Sequence, residues 1–179
     1  MIAYERKTLA NGLTVAVNRD RASKLAAVNL LYKVGARNEN PARTGFAHLF
    51  EHLMFRGTRD VPNFDLPVQM ASGDNNAFTN NDYTDFYITL PKDNIETALW
   101  LESDRMEGLD ITPGKLETEK RVVIEEFRQR YLNQPYGDQT MLLRALAYKA
   151  HPYRSAAIRP TTQPHPSSTH ADAEPLHRS

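Results

Sequence analysis

Apolar and polar positions along the first 150 residues follow patterns typical of short strands and amphipathic helices. Apolar residues on both sides of Asn11-Gly12 predict a β-hairpin with a two-residue turn. The apolar run 27–34 predicts a buried strand. Aromatic and β-branched side chains predict a second β region over 76–90, which Pro91 ends.

Helical patterns occupy most of the remaining chain. They predict helices over 42–55, 94–107, 112–132 and 138–149. The third of these begins at a threonine N-cap followed by a proline, which is favoured at the first helical position. Strands, a helix, further strands and then several helices indicate an α+β fold in which helices pack on a mostly antiparallel sheet.

The helix predicted over 42–55 has one apolar and one polar face. At about 100° per residue, its continuous apolar arc consists of Phe46, Leu49, Phe50, Leu53 and Met54. The side chains of His48, Glu51 and His52 fall on the opposite side, and Phe55 lies among them. This arrangement indicates a cleft with an apolar wall, in which the field of a bound cation is screened less than in open water.

The polar face of this helix carries a candidate metal site. His48 and His52 are four residues apart, so their imidazoles lie one above the other, and Glu51 lies beside them. The order H-x-x-E-H is a zinc hydrolase signature. The chain has no cysteine, so only imidazole and carboxylate ligands are available. The alternative is a solvated pair of histidines, although the first 150 residues contain no other histidine.

A catalytic zinc ion takes three protein ligands and leaves one position open for water, so a carboxylate is needed as well. The helix over 112–132 offers four candidates: Glu117, Glu119, Glu125 and Glu126. Of these, Glu119 and Glu126 are seven residues apart and lie on one side, along the edge of the apolar stripe. The spacing leaves open whether they serve a metal or form ion pairs with Lys120, Arg121 or Arg130.

Composition restricts the classes of partner. Lys and Arg number 22 and Asp and Glu number 22, so the net charge is zero and predicts no attraction to nucleic acid or to an anionic membrane. No apolar run is long enough for a membrane span. We see no signal peptide and expect a cytoplasmic protein, with a periplasmic location left open if the start is incomplete.

The chain divides into two regions of different composition. Residues 1–154 are expected to form one folded domain. Residues 155–179 are rich in Pro, Ser, Thr and His, and we expect a disordered tail because little there can be buried. The tail histidines, His165, His170 and His177, are expected to be solvated. One hypothesis for this change of composition is an interruption of the gene or reading frame near Ser155.

Two segments together, HLFEH at 48–52 and EKRVVIEE at 119–126, resemble the pitrilysin-type inverted zinc peptidases, which include insulin-degrading enzyme and the mitochondrial processing peptidase. The similarity covers residues 5–154 and includes segments 11–13, 34–58, 76–79 and 101–106. The resemblance implies that Zn²⁺ is bound by His48, His52 and Glu126. It implies that Glu51 is the general base and Glu119 a supporting acid near the metal.

The resemblance also implies a substrate and an incomplete architecture. The strand containing Asn76, Ala77, Phe78 and Thr79 would receive an extended peptide by backbone pairing. The family has two similar halves around a chamber, and this chain resembles only the N-terminal segment of the first half. We therefore expect a zinc metalloendopeptidase segment that needs a second homologous half or a partner chain and is inactive alone. The alternatives are a non-catalytic peptide-binding or partner subunit and a structural α+β domain.

Overall fold

The computed structural model describes residues 2–40 and 43–158, which contain five strands and five α-helices. The strands are β1 Glu5–Thr8, β2 Thr14–Val17, β3 Leu25–Tyr32, β4 Asp74–Thr79 and β5 Thr84–Pro91. The helices are α1 Phe46–Leu53, α2 Asp65–Met70, α3 Ile95–Glu107, α4 Pro113–Phe127 and α5 Gln139–Ala147. A π-helical turn, Arg128–Leu132, continues α4.

All strand pairs in the described residues are antiparallel. Strands β1 and β2 form the predicted hairpin, but its turn is longer than the predicted two residues, because Leu9 N–H bonds to the Leu13 carbonyl; Gly12 in this turn has a φ of 89°. The second sheet has the order β3-β5-β4, so β5 is central and β4 is an edge strand. Val28 pairs with Ile88 in one ladder, and Ala77 pairs with Phe86 in the other. The predicted α+β fold with a mostly antiparallel sheet is confirmed.

Helix α2 was not predicted. It has only six residues and contains Pro67, so it is too short to show a helical periodicity. The Asn63 amide oxygen accepts hydrogen bonds from the backbone N–H groups of Asp65 and Leu66, which satisfies donors of the first turn. Helix α1 is also shorter than predicted, because it begins at Phe46 rather than at residue 42.

The core lies between the three-stranded sheet and the helices. The largest cluster combines side chains from β5, α3, α2 and the residues that flank α2: Val61, Phe64, Val68, Ala71, Ile88, Leu90, Ala98 and Leu101. A second cluster joins α1 to β5 through Phe50, Met54 and Phe86. The third cluster, which contains Leu49, Leu53 and Val123, packs α1 directly against α4. These last two contacts fix the position of α1.

An ion pair is buried inside this core. Arg105 and Glu102 on α3 are joined by two hydrogen bonds, and the Arg105 guanidinium lies 4.5 Å from the centre of the Phe64 ring and 4.3 Å from that of Phe86. Burial raises the pKa of Glu102, and the charge of Arg105 partly offsets this. Loss of one partner from such a pair costs about 3–5 kcal/mol. The contacts of the guanidinium with Phe64 and Phe86 connect α3 to the segment before α2 and to β5.

The packed region extends beyond residue 154. The sequence prediction assigns residues 155–158 to a disordered tail, but Ala156 and Ile158 are buried. The Asn81 amide also donates a hydrogen bond to the Ser155 carbonyl at 3.1 Å. Two apolar side chains were enough to continue the packing, which the polar composition of the whole tail obscured. The rest of the predicted tail, with its three histidines, lies outside the described residues.

No helix in residues 2–40 or 43–158 has both the length and the apolar composition required to cross a bilayer.

Tyr32 generates a prediction about stability at alkaline pH. Its hydroxyl is buried and has no hydrogen-bond partner among the described residues, and burial raises its pKa from 10.0 to about 12. The neutral side chain therefore favours the folded state fully below the unfolded pKa, and this contribution is lost as the pH rises towards the folded value. At about pH 11 the loss is about 1.4 kcal/mol.

We expect Tyr32→Phe to be neutral or stabilising at pH 7, because it removes a buried polar atom without a partner. Between pH 8 and pH 11 the variant should lose less of its free energy of unfolding than the wild type, as measured by urea denaturation. Since all other tyrosines are shared, the wild type serves as the control. Equal losses in the two proteins would contradict the prediction.

Candidate metal centre

Helix α1 presents its polar face to a cleft. Its apolar side chains pack against β5 and α4, as described above, and this turns His48, Glu51 and His52 to the opposite side. His48 is only 5% exposed and Glu51 is also buried, so the polar face is enclosed rather than solvated. The two imidazole rings are 4.7 Å apart between their centres. The predicted spacing on α1 is thus present in the structure.

Helix α4 brings a carboxylate to both rings. The Oε2 atom of Glu126 is 3.6 Å from His48 Nε2 and 3.2 Å from His52 Nε2. One ligand atom from each of these three residues lies within 4.8 Å of the others. Of the four glutamates that the sequence left open, the structure places Glu126 next to both histidines.

These distances fit a zinc ion. Zn–N and Zn–O bonds of about 2.0–2.1 Å in a tetrahedral site separate neighbouring ligand atoms by roughly 3.3 Å. The separations of 3.2 and 3.6 Å between the Glu126 oxygen and the imidazole nitrogens are close to this value. Two nitrogens and one carboxylate oxygen also form a common donor set of catalytic zinc sites, which keep a fourth position for water.

His48 is held in its neutral form. Burial and the neighbouring His52 lower its pKa from 6.5 to about 4, against the opposing charge of Glu126. A metal ligand must be the neutral imidazole, so His48 is ready for coordination at neutral pH. Its Nδ1 atom is buried and has no hydrogen-bond partner among the described residues.

His52 is held in a different way, by carboxylates on both ring nitrogens. Burial by itself would lower its pKa, but the hydrogen bond and charge of Glu126, with the charges of Glu119 and Glu51, leave the pKa raised. Conversely, the His52 hydrogen bond lowers the pKa of Glu126, although burial opposes it. Arg130 supports Glu126 from the far side, with Nη2 at 2.9 Å from Oε1.

Glu119 lies behind His52 rather than beside both rings. It is 1% exposed, and its Oε2 atom is 3.2 Å from His52 Nδ1. Its other oxygen accepts a hydrogen bond from Arg56 Nε at 2.5 Å and a second contact from Arg56 Nη2. The sequence suggested Arg130, Lys120 or Arg121 as ion-pair partners of this pair of acids. In the structure, Arg130 forms an ion pair with Glu126. The ion-pair partner of Glu119 is Arg56, which lies in the segment after α1.

Glu51 points into the same cleft. Thr79 at the end of β4 donates a hydrogen bond to Glu51 Oε2 at 2.5 Å, and Thr84 lies 3.2 Å from the Thr79 hydroxyl. Burial raises the pKa of Glu51, and the Thr79 hydrogen bond partly offsets this. A carboxylate with a raised pKa is a better proton acceptor than an ordinary one, provided that it is ionised.

The cleft has polar and apolar walls. Besides the metal-site residues, it is lined by Phe55, Arg56, Asp65, Asn76, Ala77, Phe78, Thr79, Arg130 and Ile158. The four residues predicted to bind substrate therefore form one wall, along edge strand β4. Phe55 lies in the wall, as its position on the helical wheel indicated.

Sequence reasoning missed four of these residues as parts of the site: Arg56, Asp65, Arg130 and Ile158. Arg56 follows the end of α1, and its partner Glu119 is 63 residues away in sequence, so no local pattern identified it. Arg130 is four residues after Glu126, but from the sequence it was a possible ion-pair partner of Glu119 as well. Ile158 gave no local signal, because only the packing of the chain after α5 brings it to the cleft.

Known proteins share this sequence pattern. The sequence model of the family described as insulinase, peptidase family M16, matches residues 14–161. The chain is 36% identical over 158 residues to the zinc protease PqqE of Helicobacter pylori, and the matched region covers 87% of the chain and 36% of that protein. It is 30% identical over 120 residues to the mitochondrial-processing peptidase subunit beta of Blastocladiella emersonii, and this matched region covers 66% of the chain and 26% of that subunit.

The same likeness appears in solved structures. The crystal structure of a protease from Helicobacter pylori matches with a TM-score of 0.90 and 32% identity, over 99% of this chain and 43% of that one. Pitrilysin has the same fold with a TM-score of 0.83 and 22% identity, over 98% of this chain and 19% of that one. The chain thus spans between about a quarter and about a third of the length of the curated relatives that it matches. It belongs to the insulinase family of zinc metallopeptidases, peptidase family M16.

Proposed function

We propose that this chain is the metal-binding segment of a zinc metalloendopeptidase that hydrolyses extended peptides. The observation that supports this most is the convergence of His48, His52 and Glu126 around one point, with the buried Glu51 carboxylate in the same cleft. In this proposal His48, His52 and Glu126 hold Zn²⁺. Glu51 acts as the general base, and Glu119 orients His52.

The chemistry of the chain's own residues follows from their positions. When bound, zinc lowers the pKa of a coordinated water and polarises the scissile carbonyl. Glu51 accepts a proton from the attacking water and returns it to the leaving amine. Its hydrogen bond from Thr79 keeps the carboxylate directed into the cleft, and its burial makes it a stronger base than a solvated glutamate.

Edge strand β4 supports an extended peptide as substrate. Within the described residues β4 pairs with β5 on one side only, so its other edge has backbone groups that a peptide can pair with. Asn76, Ala77, Phe78 and Thr79 line the cleft along this strand, and Phe78 is 43% exposed. Backbone pairing selects extended shape more than sequence. We further propose that turnover needs a second homologous half or a partner chain.

The first prediction concerns zinc binding. His52→Ala should weaken zinc affinity by more than about 100-fold, because loss of a direct ligand should exceed the 10–100-fold cost of losing an outer partner. Glu51→Gln should retain zinc, since Glu51 is not among the three grouped ligands. Competition with a chromophoric chelator measures both affinities.

The matched control for zinc binding is His151→Ala, which removes an exposed histidine of the described chain outside the cleft. This variant should bind zinc as the wild type does. Equal zinc affinity of the wild type and His52→Ala would contradict the proposed ligand set.

The second prediction concerns hydrolysis. In an assay that supplies the proposed second homologous half as a separate chain, with zinc bound, Glu51→Gln should lower kcat/KM for an internally quenched peptide by about 10²–10⁴-fold, the contribution typical of a general base. The variant keeps the size and hydrogen-bonding capacity of the side chain but cannot accept the proton. Zinc content measured in the same samples separates loss of the base from loss of the metal.

A wild type that binds zinc but does not cleave the peptide by itself is the result expected if a second half is needed. Absence of cleavage also when that half is supplied would contradict the proposed peptidase function and favour the alternative of a peptide-binding or partner subunit, which titration of an uncleaved fluorescent peptide would then detect.

A further inference from the structure

We infer that Arg56 is a positioning residue for the metal centre: its guanidinium fixes the buried Glu119 carboxylate, which in turn fixes His52 for metal coordination. This inference rests on the proposed function, because it assumes that His52 is a metal ligand. The polar contacts of Arg56 in the described residues are with Glu119, not with the proposed ligands His48 and Glu126.

The two oxygens of Glu119 have separate partners. Oε1 receives both contacts from Arg56, one from Nε at 2.5 Å and one from Nη2. Oε2 is left for His52 Nδ1 at 3.2 Å. The planar guanidinium therefore fixes the rotation of the carboxylate about its own axis, and that rotation sets the position of the acceptor for His52.

Burial makes the counter-charge necessary. Glu119 is 1% exposed, and a buried carboxylate without a cation is costly. Arg130, the other arginine that lines the cleft, forms its ion pair with Glu126. The Arg56 side chain is 48% exposed, so it reaches from the surface to neutralise an acid in the interior. Its apolar stem and charged end suit such a position.

The hydrogen bond from His52 Nδ1 determines which nitrogen faces the metal. For metal coordination the proton must be at Nδ1, where it is donated to Glu119, so that the lone pair is at Nε2; in the metal-free structure that nitrogen lies 3.2 Å from Glu126 Oε2. His48 has no such support among the described residues, because its Nδ1 lacks a partner. Apart from the contacts of both rings with Glu126, the polar support of the histidine pair in the described residues is therefore the series of contacts from Arg56 through Glu119 to His52.

The test measures zinc affinity, by chelator competition, in the full chain with Arg56→Met, Arg56→Lys and the control Arg59→Met. Arg59 is exposed in the next loop and does not line the cleft. Arg56→Met should weaken zinc binding about 10–100-fold, as is typical when an outer partner of a ligand is lost. Arg56→Lys keeps the charge without the planar fork and should give an intermediate affinity. Arg59→Met should bind as the wild type does.

A double-mutant cycle separates positioning from a general loss of packing. If Arg56 acts through Glu119, then Arg56→Met should cause no further loss of zinc affinity in a chain that already carries Glu119→Gln. Thermal unfolding of the metal-free proteins reports any structural loss separately. Full zinc affinity of Arg56→Met, or additive losses in the cycle, would overturn the inference.

The outcomes also distinguish this inference from the proposed function. A wild type that binds no zinc would overturn both. A wild type that binds zinc and loses it on His52→Ala, while Arg56→Met keeps full affinity, would overturn only the role of Arg56.

Discussion

The contact between α1 and α4 is the interaction on which the candidate site depends. Leu49 and Leu53 of α1 pack on Val123 of α4, and this apolar contact brings residues 67 positions apart, His52 and Glu119, within hydrogen-bond distance. An apolar contact has no direction of its own. The buried Glu119 carboxylate restricts the relative orientation of α1 and α4, because both of its oxygens must be paired and few positions of the two helices allow this.

The same helix connects this contact to the sheet. Phe50 and Met54 pack on Phe86 of the central strand, and the other side of the helix directs Glu51 to the Thr79 hydroxyl at the end of β4. The proposed metal ligands, the proposed base and the strand proposed to bind substrate are therefore held by one group of packed elements. A change in the packing of α1 would move all three together, so core substitutions there are expected to affect metal binding.

The sequence predicted what depends on local spacing and missed what depends on packing. The helical period was enough to place His48, Glu51 and His52 on one face. It could not choose among the glutamates of α4, because Glu119 and Glu126 share a face and only the docking of the helices assigns one to both rings and the other to the outer side of His52. Arg56 and Ile158 were missed because their partners lie far away in sequence, and the short α2 because it has no periodicity.

The proposed metal centre is complete within a short part of the chain. All three grouped ligands, the acid behind His52 and the arginine on that acid lie between residues 48 and 126. The proposed zinc binding therefore depends on the docking of α1 and α4, whereas the proposed binding and cleavage of a peptide also involve the open edge of β4. The chain spans between about a quarter and about a third of its relatives' length, so zinc affinity is the measurement that tests the site whether or not this chain cleaves a peptide.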